Sequence, residues 1–451
     1  MMDVTAKLAK FATGLNYESI PPKAVETTKV AVRDCLGVAL AGSREEDAKI
    51  CAEIVRQEKA KEETTVIGQG FKTSALQAAF ANGTAAHALD FDHSFTLMGQ
   101  PTAPIIPAIF ALGEALRSNG RRMIEAYVAG YEVTGTLAHS LRDSAHEGWH
   151  APSTLGSLGA AVGCGKLLGL NATQMEMALG ITASMASGVV ANFGTMTKPL
   201  HVGLGARNGV LAAKLAQSGF TANSKAIEAS VGFYETLHGG TAINAQAVEE
   251  LGRSYALLTD GLRIKPYPCG GLTHQVIDSV LEFRARYGLT PEMIDSVDVD
   301  VVKHTFDRIA FRVPQTSIQG KFCMPYLVAR ALIDGKVGID TFTENAIRDP
   351  NVLKLAERVN MNLDTSLKKR DLGGRPCRVT VRLKNGQSYS REAEHAKGSP
   401  EFPMTEAELN DKFLECAKHA IPVESASQLL DDIRNLQTLD TIRPLCDRLG
   451  G

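Results

Sequence analysis

Four short stretches of this chain crowd together side chains that can move protons or hold carboxylates. The first, His87-Ala-Leu-Asp90-Phe-Asp92-His93-Ser94, sets two carboxylates and two imidazoles at the C-terminal end of an apolar helical pattern. Acidic groups there oppose the helix dipole, so local stability does not account for them. A local rule broken without local compensation marks a candidate site; capping and loop solvation is the competing reading. A metal centre built on His87, Asp90, Asp92 and His93 would lack an evident complete ligand set, and none is expected. In Gly148-Trp149-His150-Ala-Pro-Ser153-Thr154-Leu-Gly156, His150 stands just before a Gly-rich helix, beside backbone N–H groups that favour an anion. An imidazole so placed is a sound general base for a carboxylate substrate.

The third stretch runs from Asn192 to Asn208 and carries Lys198, His201 and Arg207 after an uncharged run. Partial desolvation of Lys198 would suit it to proton transfer, against the plainer reading of surface charge at a helix start. Its Gly203, Gly205 and Gly209 only imitate a dinucleotide loop, because the spacing is wrong and no strand precedes them. The fourth, Arg263-Ile-Lys265-Pro-Tyr267-Pro-Cys269-Gly-Gly-Leu-Thr-His274, is stiffened by two prolines and presents Lys, Tyr, Cys and His on an irregular backbone. No base for Cys269 is evident within the motif, which argues against a thiol nucleophile.

The elements that must position these groups are mostly helices. Residues 1 to about 265 read as helix after helix, as in PPKAVETTKVAVRDCLGVALAG, with proline at the start and Ala-Gly at the end. Ala and Gly line the apolar faces so that helices can approach closely. From Met177 to Thr197 the chain is uncharged but small and polar, and it reads as a buried helix followed by a loop rather than a membrane span. After Tyr267 the texture changes. MIDSVDVDVVKH alternates as a strand, PCRVTVRL and SYSREAE form a hairpin about Asn385-Gly386, and KFCMPYLVARALIDG and NAIRDPNVLKLAERV read as helices. From Met404 the chain is helical again, opening on a Thr cap with Glu three residues on. The fold class is therefore mainly α: a large helical domain from residues 1–265 and 400–451, with a smaller α+β domain, 266–399, inserted near the C-terminus.

Composition narrows the function. Formal net charge is −2, from 48 basic against 50 acidic residues, so neither a nucleic-acid nor a membrane surface is expected. The N-terminus carries acid and base within its first ten residues and does not read as a signal peptide. Eight scattered cysteines without a C-x-x-C pair fit reduced thiols in the cytoplasm and argue against a cysteine-ligated iron–sulfur cluster.

In this order, HALDFDHS, GWHAPSTLG, GTMTKPLHVGLGARNG, KPYPCGGLTH and KFCMPYLVARALIDGKV resemble the MmgE/PrpD family over nearly the whole chain. The resemblance implies a helical domain with a smaller α+β lid domain, a homodimer and no cofactor. It also implies a lyase of the 2-methylcitrate dehydratase type on a small di- or tricarboxylate, or alternatively a cis-aconitate decarboxylase or an epimerase of an imino- or amino-dicarboxylate. Carried over by position, Asp90, His150, Lys198, Lys265 and Tyr326 would be catalytic, and Ser94, Gln100, His201 and Arg207 would bind substrate. Three positions depart from the common pattern: Gln100 where many members have His before Pro, His93 where Asp often stands, and Gly270 where some decarboxylases carry His. Gln100 can donate a hydrogen bond but cannot exchange a proton near neutral pH. Against the family reading stands a non-catalytic helical binding protein, which the clustering of Asp90, His150, Lys198 and Lys265 disfavours. The clusters are expected to converge on one cleft between the helical domain and the α+β domain.

Overall fold

The structure, a computed structural model, describes residues 3–95, 97, 99–141, 148–238, 243–309, 311–368 and 374–451. Its chain divides into two compact units, Met1–Arg263 with Thr405–Gly451, and Ile264–Met404. Among the described residues no helix is long and apolar enough to cross a membrane.

The first unit is built on helices α1 (Val4–Gly14), α2 (Pro22–Gly42), α3 (Glu46–Gln57), α4 (Ala75–Ala88), α5 (Thr102–Ala115), α6 (Gly120–Leu141), α7 (Ala151–Leu168), α8 (Ala172–Ala183) and α9 (Thr197–Gln217). Their entries follow the sequence chemistry: Pro22 opens α2, Ser74 caps α4 and Asn171 closes a capping box on α8. Helix α9 packs against both α4 and α7. It can do so because glycines meet there: a Cβ on Gly203 would stand 2.2 Å from Thr84 Oγ1 and 2.5 Å from the Phe80 carbonyl oxygen, both on α4. The three glycines that imitate a dinucleotide loop are thus helix-packing residues of α9.

One feature of this unit departs from the helix-after-helix expectation. Strands β1 (Thr64–Val66) and β2 (Phe71–Thr73) pair as an antiparallel hairpin, too short to show a period of two. The buried carboxylate of Glu114 on α5 binds it, accepting from Thr65 N at 2.8 Å and Thr65 Oγ1 at 2.9 Å. The chain's final segment returns to this unit through helix Glu406–Ala417, capped by Thr405 and Glu408 as its sequence predicts.

The second unit carries a sheet of order β4-β3-β5-β6, with β3 Ile294–Val301, β4 Val359–Leu363, β5 Cys377–Leu383 and β6 Ser388–Ala393. The β5–β6 hairpin turns through Asn385-Gly386 and β3 alternates as its sequence predicts, burying Val297, Val299 and Val301. These valines share a core with Val276 and Val280 of helix His274–Tyr287 and Leu327 of helix Met324–Asp334. The helix expected over 345–359 is corrected. It breaks at Asp349-Pro350, since proline lacks the N–H and disfavours helical geometry before it, and the carboxylate of Asp349 caps a new turn at Asn351 N, 3.0 Å. Val359 then begins β4, which pairs parallel with β3.

Candidate active site

Three helix ends of the first unit supply the chemistry. Helix α4 ends at Ala88, with His87 in its last turn, and Asp90 takes the left-handed conformation at φ +53°. Helices commonly stop in that conformation, but usually on glycine; a carboxylate there is strained by roughly 1–2 kcal/mol and is the kind of outlier that collects at functional positions. The reversal sends Asp92 back to the helix, where its carboxylate oxygens lie 3.1 and 3.0 Å from His87 Nδ1. His93 turns instead into the core. Its Nδ1 meets Asp34 at 2.8 Å and its Nε2 meets Thr102 Oγ1 at 2.6 Å, while Lys412 donates to Asp34 at 2.5 Å.

Helix α7 contributes His150 as its N-cap residue. The His150 side chain makes no capping bond; its N–H donates to the Gly188 carbonyl at 2.8 Å, which leaves the imidazole to face its neighbours. Helix α9 brings Lys198 in its first turn and His201 three residues on, the spacing that places two side chains on one face. Lys198 donates to Asp90 at 2.7 Å, and both side chains are largely buried. His150 and His201 approach Nδ1 to Nδ1 at 3.3 Å, so one ring donates and the other accepts. The ring centroids of His150 and His87 are 5.3 Å apart. Phe193 covers the group edge-on to His150 at 5.0 Å, with the Lys198 ammonium 5.6 Å from its ring centre.

Burial drives the electrostatics. It pushes the His150 imidazole well below its ordinary value, helped by His87, Lys198 and His201 and opposed by Asp90. Burial also lowers His201, with His87 and Lys198 adding to it. It lowers His87 although the Asp92 carboxylate beside it pulls the other way. Three neutral imidazoles around one ammonium–carboxylate pair form an arrangement that can accept a proton from carbon and hold the carboxylate next to it.

Residues 6–246 match the MmgE/PrpD N-terminal domain, and residues 267–437 match the MmgE/PrpD C-terminal domain. The chain belongs to the MmgE/PrpD family. It is similar over its whole length to the cis-aconitate decarboxylase of Homo sapiens, 26% identical with 95% of that protein covered. The cis-aconitate decarboxylase of Aspergillus terreus is 27% identical, with 99% of this chain and 96% of that protein covered. The MmgE/PrpD chain is accordingly an enzyme of a lyase family.

Of the residues singled out in this MmgE/PrpD sequence, Asp90, His150, Lys198 and His201 come together within the first unit. Ser94 lies on the adjoining strand-like segment, bridged through its backbone to Arg263 at 3.0 Å in both directions. Gln100 is half-buried just before Pro101, the N-cap of α5. Arg207 does not join the group: nine residues beyond Lys198 on one helix, it is turned about 180° away and is exposed. Lys265 and Tyr326 belong to the second unit, and both are buried there. The Tyr326 hydroxyl donates to the Thr341 carbonyl and accepts from Arg330 Nε at 3.1 Å, an arrangement that holds it within that unit's core. Cys269 is buried with its sulfur 3.4 Å from Thr273 Oγ1, and the ring of His274 addresses its carbonyl rather than its thiol.

Sequence reasoning passes over His87 and Asp92 as site residues, although both stand in the first cluster. A spacing of five is no face repeat on a helix, and only the left-handed turn at Asp90 returns Asp92 to the ring. Among the described residues no three His, Cys, Asp or Glu side chains are grouped as metal ligands.

Proposed function

We propose that this enzyme is a cofactor-independent lyase of the 2-methylcitrate dehydratase type, acting on a small di- or tricarboxylate by removing a proton next to a carboxylate. The observation that carries the reading is the neutral, buried His150, paired with His201 at 3.3 Å and set beside the Lys198–Asp90 ion pair. The Lys198 ammonium holds a substrate carboxylate by a charge-assisted hydrogen bond, with Asp90 fixing its position. His150 takes the proton from the adjoining carbon. The C–H electrons pass into the carboxylate to give an enediolate, which the same ammonium stabilises better than it does the ground state. His201 fixes the tautomer of His150 by accepting its Nδ1 proton, which leaves Nε2 of His150 as the basic nitrogen. Elimination then expels the neighbouring hydroxyl as water. Gln100 cannot supply that proton, so another group of the site must.

A second reading, decarboxylation, is favoured by one specific observation, that the relatives described above are cis-aconitate decarboxylases. It uses the same carboxylate grip and the same enediolate, formed by loss of carbon dioxide rather than of a proton. One experiment separates the two. Incubation with a panel of di- and tricarboxylates in deuterated water, followed by NMR, reports loss of the hydroxyl and conversion of the carbon that bore it into an alkene carbon for dehydration, and released carbon dioxide for decarboxylation. Deuterium wash-in with neither change reports epimerisation. No reaction of any panel member, with the fold intact, would refute the polycarboxylate reading.

A further inference from the structure

The proposed reaction gives no part to Phe193, although its ring is set against both the base and the ammonium. The ring centre stands 5.0 Å from that of His150, with the two planes nearly perpendicular at 81°, and the Lys198 ammonium lies 5.6 Å from it. Phe193 is 46% exposed, whereas His150 is 3% exposed. One side of the phenylalanine therefore meets solvent while the other lies on the imidazole. A half-exposed phenylalanine by itself is ordinary; the way this one is held is not. The chain from Gly188 to Gly194 lies across both imidazoles as a strap. The Gly188 carbonyl accepts from His150 N at 2.8 Å, and Val190 N donates to the Gly148 carbonyl at 3.0 Å, so the strap is tied to the residues that carry the base. A Cβ on Gly188 would stand 3.1 Å from His201 Cγ, and its φ of +110° suits glycine. A single 3-10 turn, Val190–Asn192, then sets Phe193 over His150, closed by Phe193 N donating to the Val190 carbonyl at 2.9 Å. The strap thus rests on His201 at one end and on His150 at the other.

We propose that Phe193 is a positioning residue that keeps water off His150, so that the base waits for substrate in an apolar setting. The inference rests on the reading of His150 as the base. Burial is the first cause of the depressed His150 imidazole, and Phe193 supplies the solvent side of that burial. The charged and titratable groups that face His150 are His87 from α4, Asp90 from the turn after it, and Lys198 and His201 from α9. His87, Lys198 and His201 push in the same direction as burial, and Asp90 opposes them. Water admitted at Phe193 relieves the burial and screens these charges, so both effects raise His150. Kept dry, the imidazole is unprotonated near neutral pH and ready to accept the substrate proton.

The test compares Phe193→Ala with Phe193→Leu in the full chain. Nitrogen-15 NMR of histidine-labelled protein follows the titration of His150, assigned as the signal lost in His150→Gln. The pH profile of kcat/KM gives the same event in turnover, because the base must be unprotonated to act and the acid limb marks its protonation. Phe193→Ala is expected to raise both the His150 titration and the acid limb by about one pH unit. Phe193→Leu keeps an apolar cover without the ring and is expected to return both to the native position. A His150 that titrates in Phe193→Ala as it does in the native protein overturns the proposal, whatever happens to activity. So does a Phe193→Leu protein that behaves as Phe193→Ala, because ring contact rather than exclusion of water would then be at work. The reading of His150 as the base fails separately, if His150→Gln retains turnover; the NMR titration needs no turnover and still reports whether Phe193 keeps the imidazole dry.

Discussion

Gly203→Ala tests whether helix packing sets the site. The two helices that face each other across the catalytic groups, α4 and α9, touch where Gly203 meets the α4 backbone. An added Cβ would lie 2.2 Å from Thr84 Oγ1 and 2.5 Å from the Phe80 carbonyl oxygen. The threonine can rotate, but the carbonyl is helix backbone and cannot. Relief to an ordinary contact requires α9 to withdraw from α4 by roughly 0.5–1 Å, since interiors are close-packed and have no slack to absorb it. Overpacking of this kind costs about 1–3 kcal/mol, which lowers the melting temperature by roughly 2–5 °C in a unit of this size. The larger consequence is for catalysis. Lys198 and His201 ride on α9, while Asp90 and His87 ride on the end of α4, so the 2.7 Å Lys198–Asp90 contact stretches with the helices. A misplacement of this size can cost about a hundredfold in kcat. Calorimetry and steady-state kinetics on Gly203→Ala read both effects, with Gly14→Ala as control, because a Cβ there meets nothing within 4 Å. A Gly203→Ala enzyme with native melting temperature and native kcat/KM would show that the helices are not held apart by that contact.

His150→Gln keeps a hydrogen bond but removes titration, and is expected to lower kcat by about 10²- to 10⁴-fold with little change in KM; an unchanged kcat excludes His150 as the base. Lys198→Met removes a charge-assisted grip and is expected to raise KM roughly ten- to a hundredfold; a pure kcat effect would transfer the proton role to Lys198. The contribution of three site histidines to folding stability should be greatest above about pH 6.5 and decline as pH falls below it, because His87, His150 and His201 are all held below their ordinary value in the fold and the unfolded chain binds more protons at them. Buried Glu132, pushed up to about 7 by burial, acts in the opposite direction, so the comparison is with a His150→Gln protein: a melting temperature that responds to pH between 7 and 5 as the native protein's does would contradict a contribution from His150. Lys412→Met is expected to destabilise by about 3–5 kcal/mol, because it strips the cation from a buried carboxylate. Burial alone would raise Asp34, but the Lys412 charge and the His93 bond hold it well below the usual carboxylate range. Urea unfolding measures the difference, and a change under 1 kcal/mol would remove Lys412 as the support of that carboxylate.

Much of the fold is carried by local signals that act within a few residues. Thr405 and Glu408 cap one helix, Pro22 opens another, Asn385-Gly386 turns the hairpin, and alternating valines mark β3; each of these is an interaction a short segment completes by itself. The failures are equally physical. The hairpin at Thr64–Thr73 exists because a distant glutamate, Glu114, binds its backbone. Strand β4 exists because β3 offers an edge, and neither partner is visible in the segment itself.

The candidate site divides along the same line. The sequence by itself determined which residues carry chemistry, since two carboxylates at a helix C-terminus oppose the helix dipole and a lysine after a long uncharged run is open to desolvation. Only the tertiary structure decided which of them work together. Lys198 meets Asp90 across 108 residues and His201 meets His150 across 51, contacts fixed by how close α9 can come to α4 and α7. It decided likewise that Arg207 points away and that Tyr326 has its hydroxyl engaged within the second unit. The left-handed turn at Asp90 joins Asp92 to His87, while His93, one residue further, faces the core with Asp34 and Lys412. Residue type states what a side chain can do, and backbone direction at one strained position states to whom it does it; the second is a property of the packed chain, because only packing makes that strain affordable.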